Sequence, residues 1–173
     1  THTTAEALTR FADIEADLGD DGHDTQTITV TGRMVSRRHQ GKTIFAHIRD
    51  GVGELQLYVR RDVLGDEAFE QFLKLYDLGD FVQATGELFR TRMGEVSLRV
   101  SAVTMLSKAL NAPPEKWHGL QDIELRYRQR YADLIATAEA RDVFITRTKI
   151  VRAIRHFLDD RGYFEVETPV LQP

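Results

Sequence analysis

The sequence predicts a mainly β protein with helices, in which a small five-stranded barrel is followed by a helical region. Apolar and polar residues alternate with a period of two over residues 43–59, as in two strands joined by a turn. Apolar residues recur at helical intervals in residues 3–18, 66–76 and 141–161. Between residues 27 and 106 the order is three strands, a helix and two strands.

Composition indicates a globular chain without disulfide bonds. Of its 173 residues, 42% are hydrophobic, 29% are charged and none is cysteine, which excludes disulfides and thiolate metal sites. No apolar run approaches the roughly 20 residues that span a bilayer. No basic segment followed by an apolar core marks a secretory signal. We therefore expect a cytoplasmic protein without membrane partners.

Residues 1–38 predict a helix, an acidic linker and a long strand. Thr3 and Glu6 have the spacing of a capping box, so the helix is expected over residues 3–18 and the linker up to residue 26. Residues 27–38 alternate as a strand. Gly32 interrupts the inward row and predicts a bulge or sharp bend, as in a strand that serves both sides of a small barrel.

Residues 43–59 predict a hairpin with two different faces. The face expected to pack on the core is uniformly aliphatic: Ile44, Ala46, Ile48, Leu55, Leu57 and Val59. The other face carries Phe45, His47, Arg49, Gln56 and Tyr58. Aromatic rings beside cationic and amide groups on an exposed sheet suit the stacking and hydrogen bonding of unpaired bases. A purely structural cross-strand pair between Phe45 and Tyr58 is an open alternative.

Charge is distributed unevenly along the chain. The net charge is −4, which argues weakly against nucleic acid as a partner. Residues 27–61, however, contain seven basic and two acidic residues, whereas residues 1–26 contain one basic and seven acidic ones. A local positive patch can attract phosphates even on an acidic protein. The basic segment includes Arg33, which faces outward, and Arg38, which belongs to the loop before the hairpin.

Residues 66–106 complete the predicted barrel. A helix over residues 66–76 precedes strands over residues 81–89 and 95–106, and Gly86 predicts a bend. Three strands, a helix and two strands are the order of the OB-fold, a Greek-key barrel whose second and third strands bind oligonucleotides.

Residues 107–173 predict a hinge followed by helices. Two prolines stiffen residues 107–120, and helices are expected over residues 121–135 and 141–161. Apolar pairs recur every seven residues in the second helix, which favours burial against a domain or a partner subunit. Residues 163–166 predict a short strand. The sequence contains no phosphate-binding glycine loop, no paired metal-ligand histidines and no nucleophile elbow, so we expect no catalytic or metal site in it.

Several stretches resemble the class II lysyl-tRNA synthetases. The hinge and following helices of that family are similar to PEKWHGLQDIELRYRQRYADLI, and its motif 1 is similar to FLDDRGYFEVETPVLQP. Its anticodon-binding barrel resembles GKTIFAHIRDGVGELQLYVRRD and LGDFVQATGELFRTRMGEVSLRV. The resemblance implies an OB-fold anticodon-binding domain over residues 27–106, a hinge over residues 107–120 and the start of a class II catalytic domain over residues 121–173.

The resemblance also implies roles for individual residues. The family's stacking aromatic residue on the second strand matches Phe45, and the amide that recognises the central anticodon uridine matches Gln56. The arginine before the hairpin matches Arg38, and the glutamate after the turn between the last two strands matches Glu95. His47 departs from the small or polar residue expected at its position. The candidate nucleic-acid-binding set is Arg38, Phe45, Gln56, Glu95, His47 and Arg33.

The resemblance further implies a homodimer and an ATP-dependent reaction. Motif 1 contributes to a dimer interface in the family, with Pro169 as its proline, and the candidate interface residues are Phe144, Val151, Ile154, Leu158 and Pro169. The family uses ATP and magnesium to join lysine to its tRNA through motifs 2 and 3. Neither motif is present here, so we expect a truncated chain that binds the anticodon of tRNA(Lys) but does not catalyse the reaction.

Three other interpretations remain open at this point. An aspartyl- or asparaginyl-type class II synthetase shares the barrel and motif 1, although RYRQRYADLI favours the lysine family. A stand-alone OB-fold module that binds nucleic acid would explain the hairpin but not the motif 1 segment. The third is a structural dimerisation fragment.

Overall fold

The computed structural model describes residues 1–18, 23–111, 113–114, 120 and 122–171. These residues form two compact units, Thr1–Ala112 and Pro113–Pro173. The predicted hinge over residues 107–120 lies partly outside the described residues, which omit residues 112 and 115–119. Most of the acidic run that ends the first predicted helix, residues 19–22, is also outside them.

Five strands of the first unit close into a barrel in the order β1-β2-β3-β5-β4. Their bounds are β1 His23–Gln40, β2 Thr43–Arg49, β3 Glu54–Arg60, β4 Phe81–Arg90 and β5 Val96–Ser107. Strand β1 extends past the predicted residues 27–38 at both ends, so the loop predicted for Arg38 is wrong and Arg38 pairs with Phe45 within the sheet. All neighbouring strands pair antiparallel except β3 and β5, which pair parallel. The predicted five-stranded barrel is therefore confirmed.

The inward side of the barrel is the predicted aliphatic core. All six aliphatic residues of the hairpin's inward face are 0–1% exposed. They share this core with apolar residues of the other strands, among them Ile28, Val30, Met34, Val82 and Leu98. Because side chains alternate across a strand, burial of this row leaves the opposite row of β2 and β3 facing outward.

Two glycines allow the strands to bend around the barrel. At Gly32 of β1, a Cβ atom would lie 2.9 Å from the carbonyl oxygen of Arg49. At Gly86 of β4, a Cβ atom would collide with the backbone carbonyl of Arg99. The register of β4 against β5 also shifts next to Gly86. The bends predicted at both glycines thus coincide with close approaches between backbones, which only a residue without a side chain permits.

Helix α1, Thr4–Ile14, packs on the barrel and continues into a short 3-10 helix, Glu15–Asp17. The predicted capping box is present: the Thr3 side chain accepts a hydrogen bond from the Glu6 N–H, and the Glu6 carboxylate accepts one from the Thr3 N–H. Phe11 of this helix is buried in the core. At its start, the Asp50 carboxylate accepts hydrogen bonds of 2.7 and 2.8 Å from the N–H and hydroxyl of Thr4.

Helices α2, Arg61–Leu64, and α3, Asp66–Leu75, connect β3 to β4. The predicted buried stripe of α3 is confirmed for Phe69 and Phe72, which are fully buried in the barrel core. Buried Asp80, at the start of β4, binds the N–H groups of Asp77 and Ala109 at 2.7 Å each and the Lys108 ammonium at 2.9 Å. These bonds tie the end of β5 to the loop after α3.

The second unit contains α4 Ile123–Arg128, α5 Arg130–Ala136 and α6 Ala138–Asp159. The single helix predicted over residues 121–135 is wrong, because Gln129 leaves the helical region at φ −112° and ψ 56°. The bend lets the buried carboxylate of Asp133 bind Arg126, Arg130 and the Thr137 hydroxyl together. Burial alone would raise the pKa of Asp133, but these partners lower it below its usual value.

The long helix predicted over residues 141–161 is confirmed as α6, which begins three residues earlier. The short strand predicted over residues 163–166 is wrong, because these residues are in no strand. A strand is stable only when a neighbour accepts and donates its backbone hydrogen bonds. All five strands among the described residues belong to the barrel of the first unit, so this segment has no partner strand within its own unit.

Candidate nucleic-acid interface

Five side chains form an aromatic and cationic row across the outside of the barrel: Arg38, Phe45, Tyr58, Arg99 and Phe89. Register places Arg38 of β1 opposite Phe45 of β2, Phe45 opposite Tyr58 of β3, and Tyr58 opposite Arg99 of β5. The ring centroids of Phe45 and Tyr58 are 5.1 Å apart, and the Arg38 guanidinium lies 5.4 Å from the Phe45 ring. Phe89 of β4 continues the row, 5.2 Å from Tyr58. We call this set the aromatic row.

A second set, which we call the polar row, lies beside the aromatic row and is displaced from it by two residues along each strand. It consists of Ser36, His47, Gln56 and Ser97, which face one another across β1, β2, β3 and β5. A register shift between Met34 and Ser36 brings the Ser36 hydroxyl rather than an apolar side chain opposite His47. Two residues of a strand span about 7 Å. A base stacked on the aromatic row would therefore present its edge to the polar row.

Hydrogen bonds join the polar row to Glu95. The Glu95 carboxylate lies 2.8 Å from His47 Nε2 and accepts a 2.6 Å bond from Gln56 Nε2. On the other sides, Ser36 Oγ lies 2.8 Å from His47 Nδ1, and Ser97 Oγ donates to Gln56 Oε1 at 2.8 Å. Gln56 is only 6% exposed, whereas the side chains of His47 and Glu95 are 29% and 49% exposed. Glu95 thus remains accessible while it holds two neighbours.

The turn between β4 and β5 positions Glu95. The N–H of Glu95 donates to the Thr91 hydroxyl at 3.1 Å, and its carbonyl accepts from the Thr91 N–H at 2.9 Å. Gly94 occupies the left-handed region at φ 89°, which favours glycine. The turn therefore places the Glu95 side chain next to His47 of β2 and Gln56 of β3.

Of the six candidate residues, the structure places five in these rows or joins them to the rows. Arg33 is the exception. Its guanidinium donates to the Gly79 carbonyl at 3.1 Å and lies 4.3 Å from the Phe81 ring, at the start of β4. Four residues complete the rows but were not singled out in the sequence: Ser36, Ser97, Arg99 and Phe89. Only the register of β1 and β5 against the hairpin identifies them, and alternation within one strand does not give that register.

A polar groove of about 760 Å³ lies beside Tyr58. Lys42, Thr43, Tyr58, Arg60, Arg61, Asp62, Gly65 and Asp66 line it. Two of its arginines are paired with carboxylates: Arg60 with Asp62, and Arg61 with Asp66 and Glu70. The groove extends the polar and basic surface past the aromatic row.

In the second unit, α6 carries an exposed apolar face. Phe144, Ile154 and Leu158 are 40–55% exposed, Val151 is half-buried and Pro169 is exposed. A groove of about 310 Å³ separates α6 from the following segment and is lined by Val151, Ile154, Leu158, Tyr163 and Phe164, with three charged residues. The candidate interface residues on α6 thus lie on an accessible surface of this unit.

The described ranges hold no group of three or more histidine or acidic side chains that could bind a metal ion. No helix within them is long and apolar enough to cross a membrane.

Two family models match the chain. One is described as OB-fold nucleic acid binding domain and matches residues 28–106. The other is described as tRNA synthetases class II (D, K and N) and matches residues 122–173. The matches therefore indicate an OB-fold nucleic-acid-binding domain followed by part of a class II tRNA synthetase.

Curated relatives give the particular family. The chain is 48% identical to a lysine–tRNA ligase of Pelotomaculum thermopropionicum over 99% of its own length and 32% of the relative. It is 49% identical to the enzyme of Dehalococcoides mccartyi and 51% identical to that of Chloroflexus aurantiacus, over 99% of the chain and 34% of each relative. The chain belongs to the lysine–tRNA ligase family of class II synthetases and spans about a third of the length of these relatives.

Proposed function

We propose that this chain is the anticodon-recognising part of a lysine–tRNA ligase, together with a portion of its synthetase domain. The observation that carries the proposal is the alignment of the aromatic row with the polar row on the outer side of β2 and β3. One row offers a stacking surface for a base, and the other offers hydrogen-bonding groups for the edge of the same base. Single-stranded RNA loops are recognised through this combination of contacts.

Phe45 is the proposed stacking residue. Its ring is half-buried, so one part packs against Tyr58 while another remains accessible to a base. Arg38 is exposed and lies beside this ring, where it can contact a phosphate or extend the stack. The contact of Arg33 with Gly79 and Phe81 supports a different role for it, in holding the loop before β4.

Gln56 is the proposed recognition residue for the central anticodon base, a uridine by resemblance to the family. Its amide presents a donor and an acceptor side by side. The edge of a uracil presents an acceptor and a donor that can pair with them. Glu95 and His47 complete the recognition site as neighbours of this amide. Base-edge contacts of this kind specify sequence, whereas contacts to phosphate mainly position the RNA.

For the whole protein we propose ATP-dependent activation of lysine and its transfer to tRNA(Lys), in the cytoplasm. ATP and magnesium ions would supply the adenylate chemistry there. For the residues that the structure describes we propose no step of that reaction. Their contribution is to select the tRNA.

We also propose that α6 contributes to the homodimer interface of the whole protein. Its apolar face includes Phe144, Ile154 and Leu158, which are accessible in this unit, and the resemblance to motif 1 supports the assignment. Pro169 belongs to the same proposed interface.

Direct binding of RNA tests the anticodon proposal. An anticodon stem-loop of tRNA(Lys) and a control with the same stem but a scrambled loop would be titrated against the chain at two or more salt concentrations. We expect tighter binding of the lysine stem-loop at every salt concentration, because base contacts add to a charge-dependent background. Equal binding of both RNAs would reject anticodon recognition and leave only nonspecific affinity for RNA.

A further inference from the structure

The hydrogen bonds around Gln56 fix which way its amide points. A carboxylate can only accept hydrogen bonds, so the amide nitrogen must be the atom 2.6 Å from Glu95. The amide oxygen then lies 2.8 Å from the Ser97 hydroxyl, which donates to it. Rotation of the amide by 180° would turn its oxygen toward Glu95 and its nitrogen toward Ser97. That orientation would lose the bond to the carboxylate and bring two acceptors together.

His47 holds Glu95 in the same way. Because the carboxylate only accepts, His47 Nε2 carries the hydrogen of their 2.8 Å bond. In the neutral imidazole, Nδ1 then accepts from the Ser36 hydroxyl, which is also 2.8 Å away. In this arrangement Ser36 donates to His47 and His47 donates to Glu95, while the Gln56 amide donates to the same carboxylate from the other side.

The orientation of the amide matters because uracil and cytosine differ in the order of their donors and acceptors. At positions 4 and 3, uracil presents an acceptor and then a donor, while cytosine presents a donor and then an acceptor. A freely rotating glutamine amide can match either order by turning over. A base held in one position by stacking on Phe45 would meet an amide with only one order. One N–H and one oxygen lone pair of Gln56 remain for that contact.

We propose that His47 is a positioning residue that acts through Glu95 to lock the Gln56 amide, and that this lock discriminates uridine from cytidine at the recognised position. The inference rests on the proposed function, since it assumes that Gln56 faces an RNA base. It assigns His47 no contact with RNA. Its contribution is selectivity between the two pyrimidines.

Binding of two RNAs to the folded chain tests this. The RNAs are the lysine anticodon stem-loop with uridine at the central position and the same stem-loop with cytidine there. We expect His47→Ala and Glu95→Gln each to lower the ratio of uridine to cytidine affinity by about tenfold, the scale of one bidentate base contact. Most of the change should come from tighter binding of the cytidine RNA, because the released amide can turn over.

Two further variants serve as controls. His47→Gln keeps a side-chain N–H that can reach Glu95 and should restore much of the ratio. Glu54→Gln removes a different carboxylate, which lies on β3 and pairs with Arg49 rather than with Gln56, and it should leave the ratio unchanged. An equal drop in Glu54→Gln would mean that lost negative charge, rather than the lock, sets selectivity, and would overturn the proposal.

A measurement on the free protein checks the lock without RNA. In the unmodified chain, the side-chain amide protons of Gln56 should exchange slowly with solvent and give one sharp pair of NMR signals. His47→Ala and Glu95→Gln should speed that exchange while the backbone spectrum shows an intact barrel. Unchanged exchange in both variants, or an unchanged affinity ratio despite Phe45-dependent RNA binding, would overturn the lock alone. Absence of any loop-specific binding would overturn the proposed function and the lock with it.

Discussion

Phe45 and Tyr58 face each other across β2 and β3, with their rings 5.1 Å apart and inclined by 43°. The pair is therefore the cross-strand aromatic contact that the sequence left open as a structural alternative. It does not exclude a binding role, because Phe45 remains partly exposed. Mutation separates the two roles. Loss of a structural pair should lower stability, whereas loss of a stacking residue should lower RNA affinity.

Substitution Phe45→Ala should weaken binding of the lysine anticodon stem-loop by about 5- to 150-fold, since stacking contributes roughly 1–3 kcal/mol per base. The cost in the free energy of unfolding should be modest, about 0.5–1.5 kcal/mol for the lost ring pair. RNA titration and thermal melting of the same samples measure both. Phe81→Ala, which removes an exposed ring at the start of β4, is the matched control. A variant that melts early but binds RNA normally when folded would assign Phe45 to structure alone.

Substitution Ile48→Ala should lower stability and leave RNA binding unchanged. Ile48 is fully buried in the barrel core, so the truncation leaves a cavity and should cost about 2–5 kcal/mol of unfolding free energy. Denaturant unfolding gives the value, and RNA affinity of the folded fraction should stay close to that of the unmodified chain. Val52→Ala, at a residue that is 63% exposed, should change stability by less than about 0.5 kcal/mol. Similar losses in both variants would contradict the assignment of faces.

Substitution Gly86→Ala should destabilise the barrel through its backbone. The added methyl group would collide with the Arg99 carbonyl of the paired strand, so β4 and β5 must separate locally. We expect a loss of about 1–3 kcal/mol, as for other overpacked sites. Gly51→Ala is the control, because a Cβ there meets nothing within 4 Å. Equal effects of the two substitutions would show that the change in stability comes from the backbone entropy of the unfolded chain, which any replacement of glycine by alanine alters. The close approach at Gly86 would then not be its cause.

The docking of α1 should depend on pH through Asp50. Burial by itself raises the pKa of Asp50, but hydrogen bonds from Thr4, Val52 and Gly53 outweigh it and leave the pKa below its ordinary value of 3.8. A lowered carboxyl pKa stabilises the folded state above the ordinary value, and this contribution is lost as pH falls through the folded-state pKa.

Asp50→Asn should therefore cost about 1.5–3 kcal/mol of unfolding free energy at pH 7, the scale of hydrogen bonds to a charged group. The difference from the unmodified chain should shrink once the pH falls below about 4. Thermal melting of both proteins from pH 7 to pH 3 measures it. A difference that stays constant over this range would mean that the charge of Asp50 is not what stabilises α1.

Local patterns were sufficient for most of the fold. The alternation of residues 43–59 predicted the buried face of the hairpin, and the capping-box spacing of Thr3 and Glu6 predicted the start of α1. The failures have non-local causes. Gln129 interrupts a segment with helical periodicity, because the buried Asp133 collects partners from both sides of the bend. Residues 163–166 have strand composition, but composition does not supply a pairing partner.

The sequence predicted most residues of the candidate site, but not the contacts between their side chains. Phe45 and Gln56 were identified by their outward position in the hairpin and by resemblance to the family. The contact between Glu95 and His47, 48 positions apart in the sequence, depends on how β5 folds back beside β3. Arg33 was assigned to the outward face by the strand pattern, but the pairing of β1 with β4 sets it opposite Phe81 and within reach of the Gly79 carbonyl.

Closure of the barrel joins strands that are far apart in the chain: β1 with β4, and β3 with β5. Neither junction can form from a local hairpin, so chain entropy must be lost before the ring is complete. We therefore expect slow, cooperative refolding of this unit, on a scale of milliseconds to seconds. All four prolines of the sequence follow residue 112. The barrel should consequently refold without a phase limited by prolyl isomerisation, and any such phase should arise in residues 113–173.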